Sequence, residues 1–255
     1  MKIATWNVNS VRARMPRLQP WLEENAPDVV CLQETKVVDD LFPLEPFEEA
    51  GYNVVKFGQK SYNGVAILSR QPIEDAVYGF PDDADDAQKR VLGGTVGDTM
   101  FLNLYVPNGS SVGSEKYEYK LAWLARLAEF LEERYSPDER LVVTGDFNIT
   151  FDDRDVHDPE AWHEKILCST AEREALARVT EFGLIDALRK HHEEPGIYTW
   201  WDLRGGAFWK NHGLRIDHFL MTQPALDACT QVEVDRDQRK GKGASDHAPV
   251  LAWLD

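Results

Sequence analysis

Polar side chains of the kinds that hold metals or move protons recur just where apolar runs of the chain stop. Asn7 closes the first run in Thr5-Trp6-Asn7-Val8-Asn9, and Glu34 follows the second in Leu32-Gln33-Glu34-Thr35-Lys36. Tyr105 and Asn108 flank Val106-Pro107, and Asp146 and Asn148 follow Leu141-Val142-Val143-Thr144 in Gly145-Asp146-Phe147-Asn148. Asp217 ends Leu214-Arg215-Ile216-Asp217, and Asp246-His247 precede the last apolar run in Ser245-Asp246-His247-Ala248-Pro249. Most of these groups offer hard oxygen ligands. Such ligands suit Mg²⁺, which favours carboxylates and keeps part of its water shell. Cys and His sets with zinc-ligand spacing are absent from the sequence. Singly, each residue has an ordinary explanation. An Asn after a strand usually forms a turn, Gly-Asp usually marks a loop, and Asp-His usually makes surface hydrogen bonds. Jointly, oxygen ligands at several strand ends would converge at one edge of a layered sheet structure.

The elements that must bring them together are legible from pattern. Runs rich in Val, Ile, Leu and aromatics at residues 3–8, 29–33, 53–57, 65–69, 99–106, 141–144, 215–222 and 248–253 predict strands. A helix is predicted over residues 115–135, capped by Ser114, with Tyr117, Leu121, Leu124, Ala128 and Leu131 as its apolar stripe. Others are predicted over residues 12–25, bent near Pro16 and Pro20, and over residues 171–182, stopped by Gly183. Residues 52–58 and 64–70 are strand-like with no helix between them, which requires antiparallel pairing. A doubly wound parallel sheet therefore fits badly. An α/β architecture of two packed sheets with helices on their outer faces fits best.

The 255 residues predict one α/β domain over residues 1–255, and 43% hydrophobic with 28% charged residues is an ordinary globular balance. Three cysteines, Cys31, Cys168 and Cys229, make a poor disulfide framework and point to a reducing compartment. Neither a signal peptide nor a membrane span is visible, so a cytoplasmic monomer without membrane association is expected. The net charge of −16 argues by itself against a nucleic-acid partner. Distribution matters more than the sum. Acid gathers at Asp82, Asp83, Asp85 and Asp86, whereas bases gather at Arg12 and Arg14, Lys89 and Arg90, Lys116 and Lys120, and Arg239, Lys240 and Lys242.

The segments quoted above, with Asn63-Gly64-Val65-Ala66, Tyr105-Val106-Pro107-Asn108-Gly109, Tyr198-Thr199-Trp200-Trp201-Asp202 and Gly213-Leu214-Arg215-Ile216-Asp217, follow one another along the whole chain. In that order they closely resemble the exonuclease III family of abasic-site endonucleases, within the DNase I-like endonuclease/exonuclease/phosphatase superfamily. The resemblance implies a four-layer sandwich of two mixed β-sheets flanked by helices. It implies Mg²⁺, with Mn²⁺ as a substitute, and double-stranded DNA bearing abasic sites or 3′ ends as the partner. Glu34 and Asn7 would hold the ion, with Asp246 close by, and Asp146, Asn148 and His247 are further candidate ligands. In catalysis Asp146 would orient and deprotonate the attacking water and Asn148 would hold it. His247, oriented by Asp217, would donate to the phosphate, and Tyr105 would reach the phosphate or the leaving oxygen. Asn108, Arg90, Lys116 and Arg215 would contact DNA. Trp200, Leu214 and Ile216 would form an apolar pocket for a flipped baseless sugar.

The activity implied is a DNA-repair nuclease that cuts 5′ to abasic sites and has 3′-to-5′ exonuclease and 3′-phosphodiesterase activity. A near alternative is a 3′-to-5′ exonuclease with weak abasic-site activity, its pocket closed to the sugar. More distant are a superfamily phosphatase or sphingomyelinase, a catalytically inactive nucleic-acid-binding relative, and a scaffold using the acidic run.

Overall fold

The computed structural model describes residues 1–84 and 87–255; Asp85 and Asp86 of the acidic run lie outside the described residues. The strands are β1 (Lys2–Asn7), β2 (Val29–Gln33), β3 (Asn53–Phe57), β4 (Val65–Ser69), β5 (Glu74–Tyr78), β6 (Val91–Val96), β7 (Thr99–Tyr105), β8 (Leu141–Asp146), β9 (Ile185–Asp186), β10 (Trp200–Trp201), β11 (Gly213–Leu214), β12 (Asp217–Met221), β13 (Cys229–Val234) and β14 (Val250–Leu254). The helices are α1 (Val11–Asn25), α2 (Glu45–Glu49), α3 (Glu115–Arg134), α4 (Pro159–Trp162), α5 (Thr170–Thr180), α6 (Ala187–His191), α7 (Ala207–Lys210) and α8 (Gln223–Ala228).

Two six-stranded sheets form, in the orders β13-β14-β1-β2-β4-β3 and β5-β6-β7-β8-β12-β9. Each is mixed. β1 and β2 run parallel, as do β7 and β8, and the other pairs are antiparallel. A parallel pair needs a long crossover, and here α1 and α3 supply it. Both crossover helices then cover the outer face of the sheet they serve. Leu18, Trp21 and Leu22 of α1 pack on Ala4, Trp6, Val30 and Leu32. Leu124, Leu127 and Leu131 of α3, with Leu176 and Val179 of α5, pack on Leu102, Leu104 and Val143. Between the sheets lie Ile3, Val29, Cys31, Ile67, Phe101, Val142 and Phe219. The four layers are as expected.

Near the site end of this inner layer, the two sheets are tied by polar groups with no exposure. Gln33 Nε2 donates to Asn103 Oδ1 (2.7 Å) and Thr5 Oγ1 (2.9 Å), while Asn103 Nδ2 donates to the carbonyls of Leu32 and Ala66. The amide nitrogens are paired while Gln33 Oε1 is left without a partner, and the pairing made fixes how the sheets sit on each other.

The helices expected over 12–25, 115–135 and 171–182 form within a residue or two, and α1 runs through Pro16 and Pro20. Two expectations need correction. The strand read at 215–222 is only Asp217–Met221, because Gly213–Leu214 turns aside to pair with Trp200–Trp201 as a separate hairpin. The stripe of α3 also includes Lys120, which is fully buried, while Leu121 is only half-buried.

Candidate active site

Strand register decides which side chains meet. β1 and β2 lie side by side, so the exits at Asn7 and Glu34 are adjacent. In the other sheet Tyr105 pairs with Asp146, and Asp146 pairs with Asp217 on the opposite side. β14 lies against β1, which brings His247 next to the first strand, where the Trp6 indole donates to its carbonyl (3.1 Å). β8 can run this close to β7 because residue 145 is glycine. At φ 135° a Cβ there would fall 2.0 Å from the Leu104 carbonyl oxygen.

The exits themselves are bent. Asn9, Ser10, Glu34, Lys36 and Asn148 all have left-handed φ, between 45° and 83°. Such conformations cost non-glycine residues about 1–3 kcal/mol each and persist where the surroundings over-determine them. The bends turn the side chains inward from the sheet edges.

Glu34, Asp146 and His247 each place a ligand atom within 4.8 Å of the other two. Asn7 Nδ2 donates to both Glu34 Oε1 and Asp146 Oδ2, each at 2.8 Å. His247 Nδ1 lies 2.9 Å from Asp217 Oδ2, and its Nε2 lies 3.7 Å from Asp146 Oδ2. Burial alone would lower the His247 pKa, but Asp217 and Asp146 outweigh it and raise it to about 10. Burial pushes the Asp146 carboxyl up to about 7 against the pull of His247, with Asp217 and Glu34 adding to the rise. Burial, Glu34 and Asp146 raise the Tyr105 phenol well above its usual value, so it is a neutral proton donor.

A buried carboxylate held up in this way lacks enough positive charge nearby. Glu34 has Lys36 Nζ at 2.7 Å, whereas Asp146 has the shared imidazolium at 3.7 Å and, beyond ion-pair distance, the Lys120 ammonium already paired with Glu172. Two carboxylates this close together fit a divalent cation by charge and by ligand type. Glu34 and Asp146 are the groups able to hold one, joined by Asn7 only if its amide turns over, since its oxygen here accepts from the Asn9 N–H (3.0 Å). Asp246 stands outside this cluster. Its oxygens accept from Asn9 Nδ2 (2.9 Å) and Trp200 Nε1 (3.1 Å), and His247 with these donors overcomes burial to hold its pKa below the usual carboxylate value.

Asn148 is nearly buried. Its Oδ1 accepts from Asn108 Nδ2 (2.9 Å), and its backbone N–H donates to Asp146 Oδ1 (2.9 Å). Beside them runs a groove of about 470 Å³, lined in part by Arg90, Tyr105, Asn108, Lys116 and the exposed Tyr62 and Tyr119. Arg90 is 9% exposed and stacks over the Tyr105 ring at 4.6 Å, so it supports that ring and meets the groove only at its edge. Lys116 is exposed.

The expected DNA contact by Arg215 is not possible in this fold. Its guanidinium is fully buried, donates to Asp155 at 2.7 and 2.9 Å and to Asp186 at 2.6 Å, and bonds His218. The pocket residues are also placed differently from expectation. Leu214 and Ile216 are 0% and 1% exposed, covered by a cluster with Val156, Leu167 and Cys168, and only Trp200 is half-buried. Leu167 holds φ 75°, a conformation a bulky side chain rarely adopts.

Several supporting residues escaped the sequence reading. Asn9 bridges Asp246 and Lys36. Thr199 Oγ1 accepts from the backbone N–H groups of both Ile216 and Asp217 at 3.1 Å. Ser245 Oγ donates to the Asn7 carbonyl. All lie inside the segments quoted above, but nothing in their types or spacing distinguishes them from turn formers.

Comparison with known proteins shows which family the chain belongs to. The model of the endonuclease/exonuclease/phosphatase family matches residues 4–247. The chain is 36% identical to exodeoxyribonuclease III of Haemophilus influenzae, over 99% of each sequence. A 3′ phosphatase from Neisseria, solved with a product DNA hairpin, superposes with TM-score 0.96 at 44% identity, covering 100% of this chain and 99% of that one. An AP endonuclease from Archaeoglobus fulgidus superposes with TM-score 0.96 at 39% identity, again covering 100% and 99%. With fold and sequence in agreement over the full length, the chain belongs to the endonuclease/exonuclease/phosphatase family, within its exodeoxyribonuclease III group.

Proposed function

We propose that this chain is a Mg²⁺-dependent DNA-repair nuclease on double-stranded DNA, hydrolysing the phosphodiester 5′ to abasic sites and trimming 3′ ends. The observation that carries this reading is the meeting of Glu34, Asp146 and the Asp217–His247 pair from both sheets at one cluster. Glu34 and Asp146, with Asn7 if its amide turns over, would hold the cation, which when bound supplies charge neutralisation for the phosphate and the leaving oxygen. Asp146 takes the proton of the attacking water, and Asn148 orients that water. His247, cationic at neutral pH, donates from Nε2 to the phosphate oxygen that gains charge, while Asp217 fixes the ring through Nδ1. A cationic imidazole is a poor metal ligand, so the donor role is the one its surroundings favour. Tyr105 donates to the leaving oxygen, and Asn108 holds a phosphate oxygen at the groove.

A second reading, an enzyme that mainly trims 3′ ends and incises abasic sites weakly, is favoured by one observation. The apolar residues that would receive a flipped sugar are covered by the cluster around Leu167. A duplex with one synthetic abasic site, assayed with Mg²⁺, with EDTA and beside an undamaged blunt duplex, separates the readings. Metal-dependent single-site incision supports the first. Shortening from 3′ ends alone supports the second. Retained binding without cutting under any metal condition means an inactive nucleic-acid-binding relative.

A further inference from the structure

Lys120 is a lysine with no solvent exposure at a helix position where the apolar stripe would place a hydrocarbon. Its ammonium has three partners. It donates to the Asn148 carbonyl (2.7 Å), to the Asn108 carbonyl (3.2 Å) and to Glu172 Oε1 on α5, itself fully buried. An ammonium has three hydrogens, so its capacity is filled. Glu172 is likewise engaged. Oε2 accepts from the Ser169 hydroxyl (2.7 Å) in the capping box of α5, and Oε1 also accepts from the Leu167 N–H (3.1 Å).

The two carbonyls that Lys120 binds belong to the two asparagines whose side chains meet at the site. Asn108 and Asn148 lie on loops after β7 and β8, where strand pairing has ended. The left-handed bend at Asn148 takes it out of the strand ladder, and Lys120 supplies the donor that its carbonyl receives there. A buried ion pair is often no more stabilising than apolar side chains of the same volume. Stability is therefore a weak reason for a charge at position 120, and geometry is a better one.

We propose that Lys120, paired with Glu172, is a positioning residue for phosphodiester hydrolysis, setting through the carbonyls of Asn108 and Asn148 where their amides meet the phosphate and the water. This rests on the nuclease reading above. It requires no contact between Lys120 and DNA.

The test is a double-mutant cycle of kcat and KM for cleavage of the abasic and 3′-end duplexes, using Lys120→Met, Asn148→Ala and the pair, with Leu124→Ala on the same helix as a packing control. Lys120→Met should lower kcat about tenfold or more with KM within about threefold, since small misplacements at a reacting centre are costly. The pair should fall within about twofold of the slower single variant, because both changes remove one function. Leu124→Ala should lower Tm and leave kcat unchanged. Wild-type kcat in Lys120→Met, or losses that multiply in the pair, would make Lys120 a purely structural residue and overturn the inference. If Lys120→Met does not fold, Lys120→Met/Glu172→Gln enters the same cycle with the same two outcomes. It withdraws both charges but keeps an oxygen for the Ser169 cap. A wild-type chain that cuts neither duplex refutes the functional reading instead.

Discussion

At the Glu34–Asp146–His247 cluster each side chain lies at or near the end of a strand five or six residues long, whereas Trp200 and Leu214 sit on β10 and β11, two residues each. The first region is fixed by ladder hydrogen bonds running through both sheets. The second is fixed by side-chain volume, with Val156, Leu167 and Cys168 filling the space over Leu214 and Ile216. Moving a group in the first region means shifting a strand by a whole residue, which would turn every side chain of that strand to the other face. Opening the second needs one smaller side chain. On the proposed reading, the hydrolytic groups are thus insulated from sequence change, while the pocket that would choose between internal lesions and 3′ ends is adjustable.

Four substitutions test that contrast, from the largest effect to the smallest. Asp146→Asn should reduce turnover by about 10²- to 10⁴-fold while leaving the fold intact. In EDTA it should melt no lower than the wild type. Because the Asp146 pKa is raised, the wild type loses stability as pH climbs from the usual carboxylate range through about 7, and the Asn variant escapes this. A melting-temperature gap that does not widen across that window would contradict the assignment. His247→Gln should lower kcat about 10²-fold. A raised histidine pKa contributes stability that is complete below about 6.5 and disappears as pH rises through about 10. The difference in denaturation midpoint between wild type and His247→Gln should therefore shrink over that interval.

Leu167→Gly probes the other region. Glycine relieves the left-handed backbone, about 1 kcal/mol, but gives up a buried side chain worth about 2–4 kcal/mol, so a net loss of stability is expected. The ratio of abasic-site incision to 3′ trimming should rise about tenfold as the space over Leu214 and Ile216 opens. An unchanged ratio would move the selectivity elsewhere. Lys116→Ala, at the exposed rim of the groove, should weaken DNA binding only a few-fold and lower the salt slope of log K by about one.

The sequence reading succeeded where a strand was long, apolar and internal, as in β1, β2, β7 and β8. It missed β5, an exposed edge strand, and β6, whose Gly93-Gly94 step is poor in strand formers. It missed β13, a largely exposed edge strand, and β9, β10 and β11, because two-residue strands exist only through their partners. Arg215 shows the same limit for the site. An arginine two residues before Asp217 looks like a phosphate contact until Asp155 and Asp186, 60 and 29 residues away in sequence, are seen to neutralise it. Lys120 is the converse case, since a basic residue between apolar helix positions reads as surface charge.

What the amino-acid sequence determined by itself was the set of candidate reacting groups. Oxygen ligands, one context-bearing histidine and its aspartate stand where apolar runs end, because strand termini are where a sheet can present polar atoms without burying them unpaired. Tertiary structure alone decided which charges are spent inside the protein and which stay open at the groove. Burial and pairing are properties of neighbours distant in sequence, and no local pattern encodes them.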